Sequence, residues 1–235
     1  MLDLSEVTVT NLKPLPVFLL LDTSYSMDGR KIEELNRATR EMLETFKEEE
    51  RKDNAITVAV ITFGGEAKIH LDPTRASEIN WKDLSADGNT PMGKALEIAK
   101  SMVEDKEVTP GRAYRPIIVL VSDGQPNDQW ENPLCEFVKE GRSAKCDRMA
   151  MAIGSDADRT VLEEFLEGTS HQLCFAKNAS QLHEFFQRVT MSVTMRSNST
   201  DPNELPEGSV LKLDGTIAKA SPVSQGGDDD SDDWE

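Results

Sequence analysis

The sequence predicts a doubly wound α/β domain with a mostly parallel sheet flanked by helices. Three observations lead there. The continuous apolar runs Val17–Leu21 and Ile117–Val121 read as strands buried on both faces, the pattern of a parallel sheet covered by helices. Amphipathic stretches of helical period alternate with strand-like runs along most of the chain. That alternation calls for right-handed βαβ crossovers.

The elements follow in order. After Val17–Leu21, Asp28-Gly29 starts a long helix with Ile32, Leu35, Met42, Leu43 and Phe46 on one side and charges over the rest. Ile56–Phe63 (ITVAVITF) is a β-branched strand, and the Gly64-Gly65 turn leads to a shorter one, Ala67–Leu71. Met92, Ala95, Leu96, Ala99 and Val103 mark a second helix entered through Pro91. Beyond Ile117–Val121, Trp130 and Leu134–Phe137 are expected in a long loop, with Trp130 exposed and available to a partner. Met149–Ile153 is a strand ending at Gly154, and Val161, Leu162, Phe165 and Leu166 belong to a helix from about Asp158. Leu173–Ala176 is a short last strand. Leu182, Phe185, Phe186, Val189 and Val193 give a final helix.

The expected domain is 14–195, and 196–235 an acidic tail. SNSTDPNELPEG and SPVSQGGDDDSDDWE hold too few apolar residues to offset the entropy of ordering. VLKLDGTIAKA between them reads as a weak hairpin around Asp214-Gly215. The last eight residues, DDDSDDWE, carry six acids and read as a solubilising segment that can also act as a weak internal ligand.

Composition narrows the function. The 235 residues are 37% hydrophobic, enough for a real core, and carry a formal net charge of −17. From Arg196 onward ten acids face three bases, which leaves −10 for the rest. Nucleic acid and an anionic membrane surface are poor partners for such a chain. Cys135, Cys146 and Cys174 form no paired framework and no CxxC, which suits a reducing compartment. MLDLSEVTVT has no basic or apolar region of a signal peptide, and no apolar run approaches a membrane span. A cytoplasmic, soluble protein is expected.

The candidate site lies where strands end, since ligands of doubly wound sheets gather at the topological switch point. Three polar segments meet that description: Asp22-Thr-Ser24-Tyr-Ser26, Asp87-Gly-Asn-Thr90 and Ser122-Asp123-Gly124. They offer carboxylates and hydroxyls without His or Cys, a set that suits Mg²⁺ or Mn²⁺ better than zinc. The alternation in DTSYS lets side chains two apart point to one centre. Two carboxylates roughly neutralise a divalent ion, and hydroxyl ligands quench it little. An anionic oxygen from outside, such as a partner's Asp or Glu, completes such a site.

At these residues the chain resembles the von Willebrand factor type A family. Asp22–Ser26 is similar to its D-x-S-x-S, Thr90 to its lone threonine and Asp123 to its second aspartate, together the family's metal-ion-dependent adhesion site. The resemblance implies a Rossmann-like fold from about Pro14 to Met195. It also implies that Ser24, Ser26 and Thr90 coordinate Mg²⁺ directly, while Asp22 and Asp123 act largely through water. PVFLLLDTSYSM, ITVAVITFGGEAK, LSADGNTPMGKAL and IIVLVSDGQPND further resemble bacterial tellurium-resistance-associated, TerY-type members. Those imply a stress-response context with a protein kinase and a PP2C-type phosphatase as partners. Tyr25 and Asn89 stand where such proteins often have glycine, and Tyr25 would partly cover the site's rim.

Other readings compete. Taken alone, D-x-S-x-S is also a helix start, because Ser and Asp are routine caps. A strand ending in Asp22 is similar to haloacid-dehalogenase-type phosphatases, but these need a second Asp where Ser24 stands. GGEAK lacks the GK[ST] ending of a Walker loop, and no general base sits near the site phrases. A binding adaptor or scaffold is therefore expected, not an enzyme. The rivals are a metal-dependent phosphatase or hydrolase and a structural domain with an empty site. His171, Cys174, Cys135 and Cys146 are spaced too irregularly to expect zinc, and His70 and His183 read as surface or boundary residues.

Overall fold

The first apolar run extends at both ends into β1, Leu15–Asp22, every residue of which is buried. The computed structural model describes residues 13–50, 55–154, 157 and 159–204. After β1 a single helical turn, Tyr25–Met27, leads into α1, Arg30–Glu50. β2 (Ile56–Gly64), β3 (Glu66–Arg75) and α2 (Met92–Glu104) follow, then β4 (Ile117–Ser122) and α3 (Glu131–Lys139). The chain continues through β5 (Asp147–Ile153), α4 (Arg159–Phe165), β6 (Cys174–Ala176) and α5 (Ala179–Ser197).

The six strands form one sheet in the order β3-β2-β1-β4-β5-β6, parallel except for β3, as the sequence predicts. Leu19 sits at the centre of β1, opposite Val60 of β2 and Val119 of β4. Side-chain alternation sorts β1 into two cores. Leu15, Val17, Leu19 and Leu21 pack with α1 and α5, against Leu35, Phe46 and Phe185 among others. Phe18 and Leu20 pack on the other face with residues of α2, α3 and α4, including Leu96, Phe137 and Phe165. Truncating a residue such as Leu19 to alanine would cost about 2–5 kcal/mol. Both layers thus hold the strand ends rigid.

Three expectations need correction. β3 runs to Arg75, not Leu71, because it is an edge strand with no buried residue. Ala67, Ile69 and Leu71 alternate with polar residues, but the alternation stops at Asp72 and Pro73, which with Lys68 suit an edge that must not pair further. Leu134–Phe137 is not in a loop. It lies in α3, whose nine residues bury Leu134, Phe137 and Val138 at helical spacing, and whose Pro133 stands in the first turn, where a missing N–H costs nothing. Trp130 is half-buried against that core, not exposed.

The third concerns Arg196, read above as the first residue of the tail. α5 continues to Ser197, and Arg196 is buried, donating to Asp147 Oδ2 (3.2 Å), Pro202 O (2.8 Å) and Arg115 O (2.8 Å). Asn203 Oδ1 accepts from Arg115 N, so the chain packs back on the body beyond Met195. Asp147 also meets His171 Nε2 at 2.9 Å through Oδ1, which accounts for the buried histidine. The acidic terminus, the hairpin segment 210–220 and MLDLSEVTVT lie outside the described residues.

Candidate metal centre at the switch point

β1 and β4 are neighbours although β2 and β3 separate them in sequence, so the crevice between their C-terminal ends is the switch point of the sheet. Asp22 is the last residue of β1, and Asp123 directly follows Ser122, the last of β4. Both carboxylates are buried, at 0% and 3% exposure. Asp22 Oδ1 accepts from Ser24 N at 2.8 Å, an Asx turn that sends the chain out of the strand. Its Oδ2 accepts from the Ser122 hydroxyl at 2.6 Å. Burial pushes the Asp22 carboxyl up to about 6, against the pull of hydrogen bonds from Ser122 and Ser24, with a smaller push from the Asp123 charge.

Ser24 and Ser26 turn to the same side, as the DTSYS alternation predicts. Their hydroxyl oxygens are 2.9 Å apart, and Ser26 Oγ donates to Asp123 Oδ1 at 2.6 Å. A carboxylate only accepts, so the one Ser26 proton is used there and the Ser24 hydroxyl donates to Ser26. Between the serines, Tyr25 is 67% exposed beside the site.

Thr90 reaches the site through a loop fixed on three sides. Asp87 N donates to Thr23 O (2.7 Å), Gly88 O accepts from Tyr25 N (2.9 Å), and Asn89 O accepts from Gly65 N (2.8 Å). Gly88 has φ +61°, and a Cβ there would stand 2.4 Å from Gly65 Cα, so only glycine lets these turns interlock. Thr90 N donates to Asn127 Oδ1 at 3.1 Å, and Thr90 O accepts from Asn127 N at 3.2 Å. Asp87 itself is exposed.

The arrangement fits a small hard cation by two measures. Octahedral Mg²⁺ with oxygens at about 2.1 Å has adjacent ligands about 3.0 Å apart, and the two serine oxygens, hydrogen-bonded at 2.9 Å, are close enough to be such a pair. A Cβ built on Gly124 would lie 3.6 Å from Ser26 Oγ and 3.7 Å from Thr90 Oγ1, so the missing side chain leaves a cradle between hydroxyls of two segments. The five predicted residues are thus gathered at one crevice. His171, Cys135, Cys146 and Cys174 are not; among the described residues no group of three or more His, Cys, Asp or Glu is placed to hold an ion.

Sequence reasoning gave Ser122 no role of its own and missed Asn127, Asp128 and Lys31. Ser122 buttresses Asp22, Asn127 holds Thr90, and Asp128 caps α2 by accepting from Gly93 N (3.0 Å) and Lys94 N (2.9 Å). Lys31 Nζ donates to Asp123 Oδ2 at 2.6 Å and to Ser26 O at 3.0 Å. Its signal was available: Arg30-Lys31 begins a helix, where the backbone dipole disfavours cations that lack a specific anion.

Comparison with known proteins agrees with the fold. A human inter-alpha-trypsin inhibitor heavy chain, H6, is 27% identical over 156 residues, covering 62% of this chain and 12% of its own. The uncharacterized protein sll0103 of Synechocystis sp. is 28% identical over 222 residues, covering 89% of this chain and 49% of its own. The chain thus spans about half or less of the curated relatives it matches. Among solved structures, a von Willebrand factor type A protein from Catenulispora acidiphila superposes with a TM-score of 0.62 at 19% identity, over 78% of this chain and 43% of that one. The mussel byssus proximal thread matrix protein 1 with a zinc-occupied MIDAS motif (a metal-ion-dependent adhesion site) gives 0.56 at 16% identity, over 79% and 46%. These two show the shared fold. The family profile described as the von Willebrand factor type A domain matches residues 17–188, most of the chain, and the protein belongs to that family.

Proposed function

We propose that the chain binds Mg²⁺ or Mn²⁺ through Asp22, Ser24, Ser26, Thr90 and Asp123 and uses it to hold an Asp or Glu of a protein partner. Domains of this family often bind a divalent metal at such a site and serve adhesion or interaction. The observation that carries the reading is the convergence of three hydroxyls and two buried carboxylates from three segments, with the serine oxygens at a coordination-edge spacing.

The chain's residues divide the work. Ser24, Ser26 and Thr90 supply neutral oxygens, while Asp22 and Asp123 supply charge and orient the serines through the hydrogen bonds described above. Because the hydroxyls are neutral, little charge beyond two carboxylates opposes the cation. A bound divalent ion supplies an electrophilic position that an external carboxylate oxygen can occupy. Exposed Tyr25 offers an aromatic surface beside that position. No acid/base group stands two residues after Asp22, where Ser24 is found, so the role is that of an adaptor or scaffold, not a catalyst.

The phrases that resemble TerY-type proteins support a finer proposal: a cytoplasmic bacterial component of a tellurite or stress response, with a kinase or PP2C-type phosphatase as partner. The test is a pull-down with immobilised full chain in Mg²⁺, in chelator, and with Asp22→Ala. A kinase or phosphatase retained only by wild type in Mg²⁺ is expected. A partner held equally in chelator contradicts the reading.

A further inference from the structure

Lys31 occupies the first turn of α1, yet its ammonium turns back past the helix start. It meets Ser26 O at 3.0 Å and Asp123 Oδ2 at 2.6 Å, with the lysine side chain 21% exposed and that of Asp123 0%. A Cβ on Gly154, just after β5, would stand 3.8 Å from the same ammonium. Three segments of the switch point therefore close around one positive charge: the turn after β1, the end of β4 and the end of β5. Lysine carries its charge as a compact point on a flexible stem, so it can serve a neighbouring anion without filling the site.

The charge count gives this contact a function. Asp22 and Asp123 together carry −2 when ionised, and Lys31 reduces the local sum to −1. Uptake of a divalent cation then brings the site to +1, and an incoming carboxylate brings it to zero. Without Lys31 the same two steps would give zero and −1. Resting on the divalent-cation reading above, we propose that Lys31 is a tethered counter-cation that positions Asp123 and couples metal binding to the arrival of the partner's carboxylate. It weakens uptake of the cation alone and strengthens uptake of the cation with its anionic ligand. Thermodynamic linkage makes the effect reciprocal: what a carboxylate does for the cation's affinity, the cation does for the carboxylate's. A partly buried unit charge a few ångströms away is strong enough to shift such an equilibrium about tenfold or more.

The experiment titrates Mn²⁺ into the full chain by electron paramagnetic resonance, with and without acetate as the carboxylate probe. Wild type, Lys31→Met, Lys31→Arg and Asp22→Ala are compared, and thermal unfolding is recorded with and without Mn²⁺. Methionine keeps the apolar stem and removes the charge. Without acetate, Lys31→Met should bind Mn²⁺ about tenfold tighter than wild type. Acetate should tighten Mn²⁺ binding in wild type and Lys31→Arg but not in Lys31→Met. The metal-free melting temperature of Lys31→Met should fall, and Mn²⁺ should raise it more than in wild type. A merely structural lysine would lower melting with and without Mn²⁺ and leave affinity unchanged or weakened, which overturns the proposal. If Asp22→Ala loses Mn²⁺ while Lys31→Met matches wild type, only the role of Lys31 is lost. If wild type takes up no Mn²⁺, or Asp22→Ala binds it equally, the site reading falls and this proposal with it. Should Lys31→Met not fold, Lys31→Gln carries the same comparison.

Discussion

The Ser26 hydroxyl donates to Asp123 Oδ1 at 2.6 Å, across 97 positions of sequence. This bond joins the turn after β1 to the end of β4, and it is made possible by the strand order that places those two strands side by side. It also holds the Ser26 oxygen, which accepts from the Ser24 hydroxyl, 3.6 Å from the place a Cβ on Gly124 would take.

Gly124→Ala should separate folding from binding. Its Cβ would meet Ser26 Oγ and Thr90 Oγ1 at 3.6 and 3.7 Å, ordinary contact distances, so the fold should survive. The methyl would nevertheless occupy the space between the hydroxyls. Calorimetry should show Mg²⁺ affinity reduced at least tenfold, about 1.4 kcal/mol, with little change in melting temperature.

Thr90→Ala should weaken metal binding, whereas Lys94→Ala should not. Thr90 is buried at the site, while the Lys94 ammonium is exposed and, among the described residues, engaged only with Glu97. An exposed pair of this kind contributes about 0–1 kcal/mol, so Lys94→Ala should leave both stability and Mg²⁺ titration near wild type.

Arg196→Ala should destabilise the chain without touching the site. Asp147 begins β5, at the opposite end of the parallel sheet from Asp22, and its Oδ2 would lose its buried cation. Breaking a buried pair costs about 3–5 kcal/mol, readable as a lower urea midpoint, while Mg²⁺ affinity of the folded fraction should remain that of wild type.

Thiol labelling at pH 8 should mark one cysteine first. Cys135 is exposed, whereas burial pushes the Cys146 thiol up to about 12 and the Cys174 thiol up to about 11. The thiolate is the reactive form, and at pH 8 both raised thiols are almost fully protonated. Iodoacetamide should modify Cys135 alone in the native state, as mass spectrometry of peptides would show.

The fold was legible because β1, β4 and β5 are buried throughout and carry continuous apolar runs, the pattern of a parallel sheet covered on both faces. The site was legible because each of its residues stands within four positions of a strand end or just before a helix. What escaped had only a short or interrupted pattern. β3 buries neither face, α3 is a nine-residue helix with a proline in its first turn, and Arg196 looks like the start of a polar tail until Asp147 is placed beside it. The supporting side chains Asn127 and Lys31 gain their meaning only from contacts distant in sequence, 37 and 92 positions away.

The central claim is that Asp22, Ser24, Ser26, Thr90 and Asp123 form one divalent-cation site. The most direct measurement is isothermal calorimetry of Mg²⁺ and Mn²⁺ with the wild-type chain and Asp22→Ala, each first shown to be folded by circular dichroism. Wild type should take up one ion saturably, and Asp22→Ala should take up none at the same concentrations. Equal uptake by the two proteins would contradict the assignment.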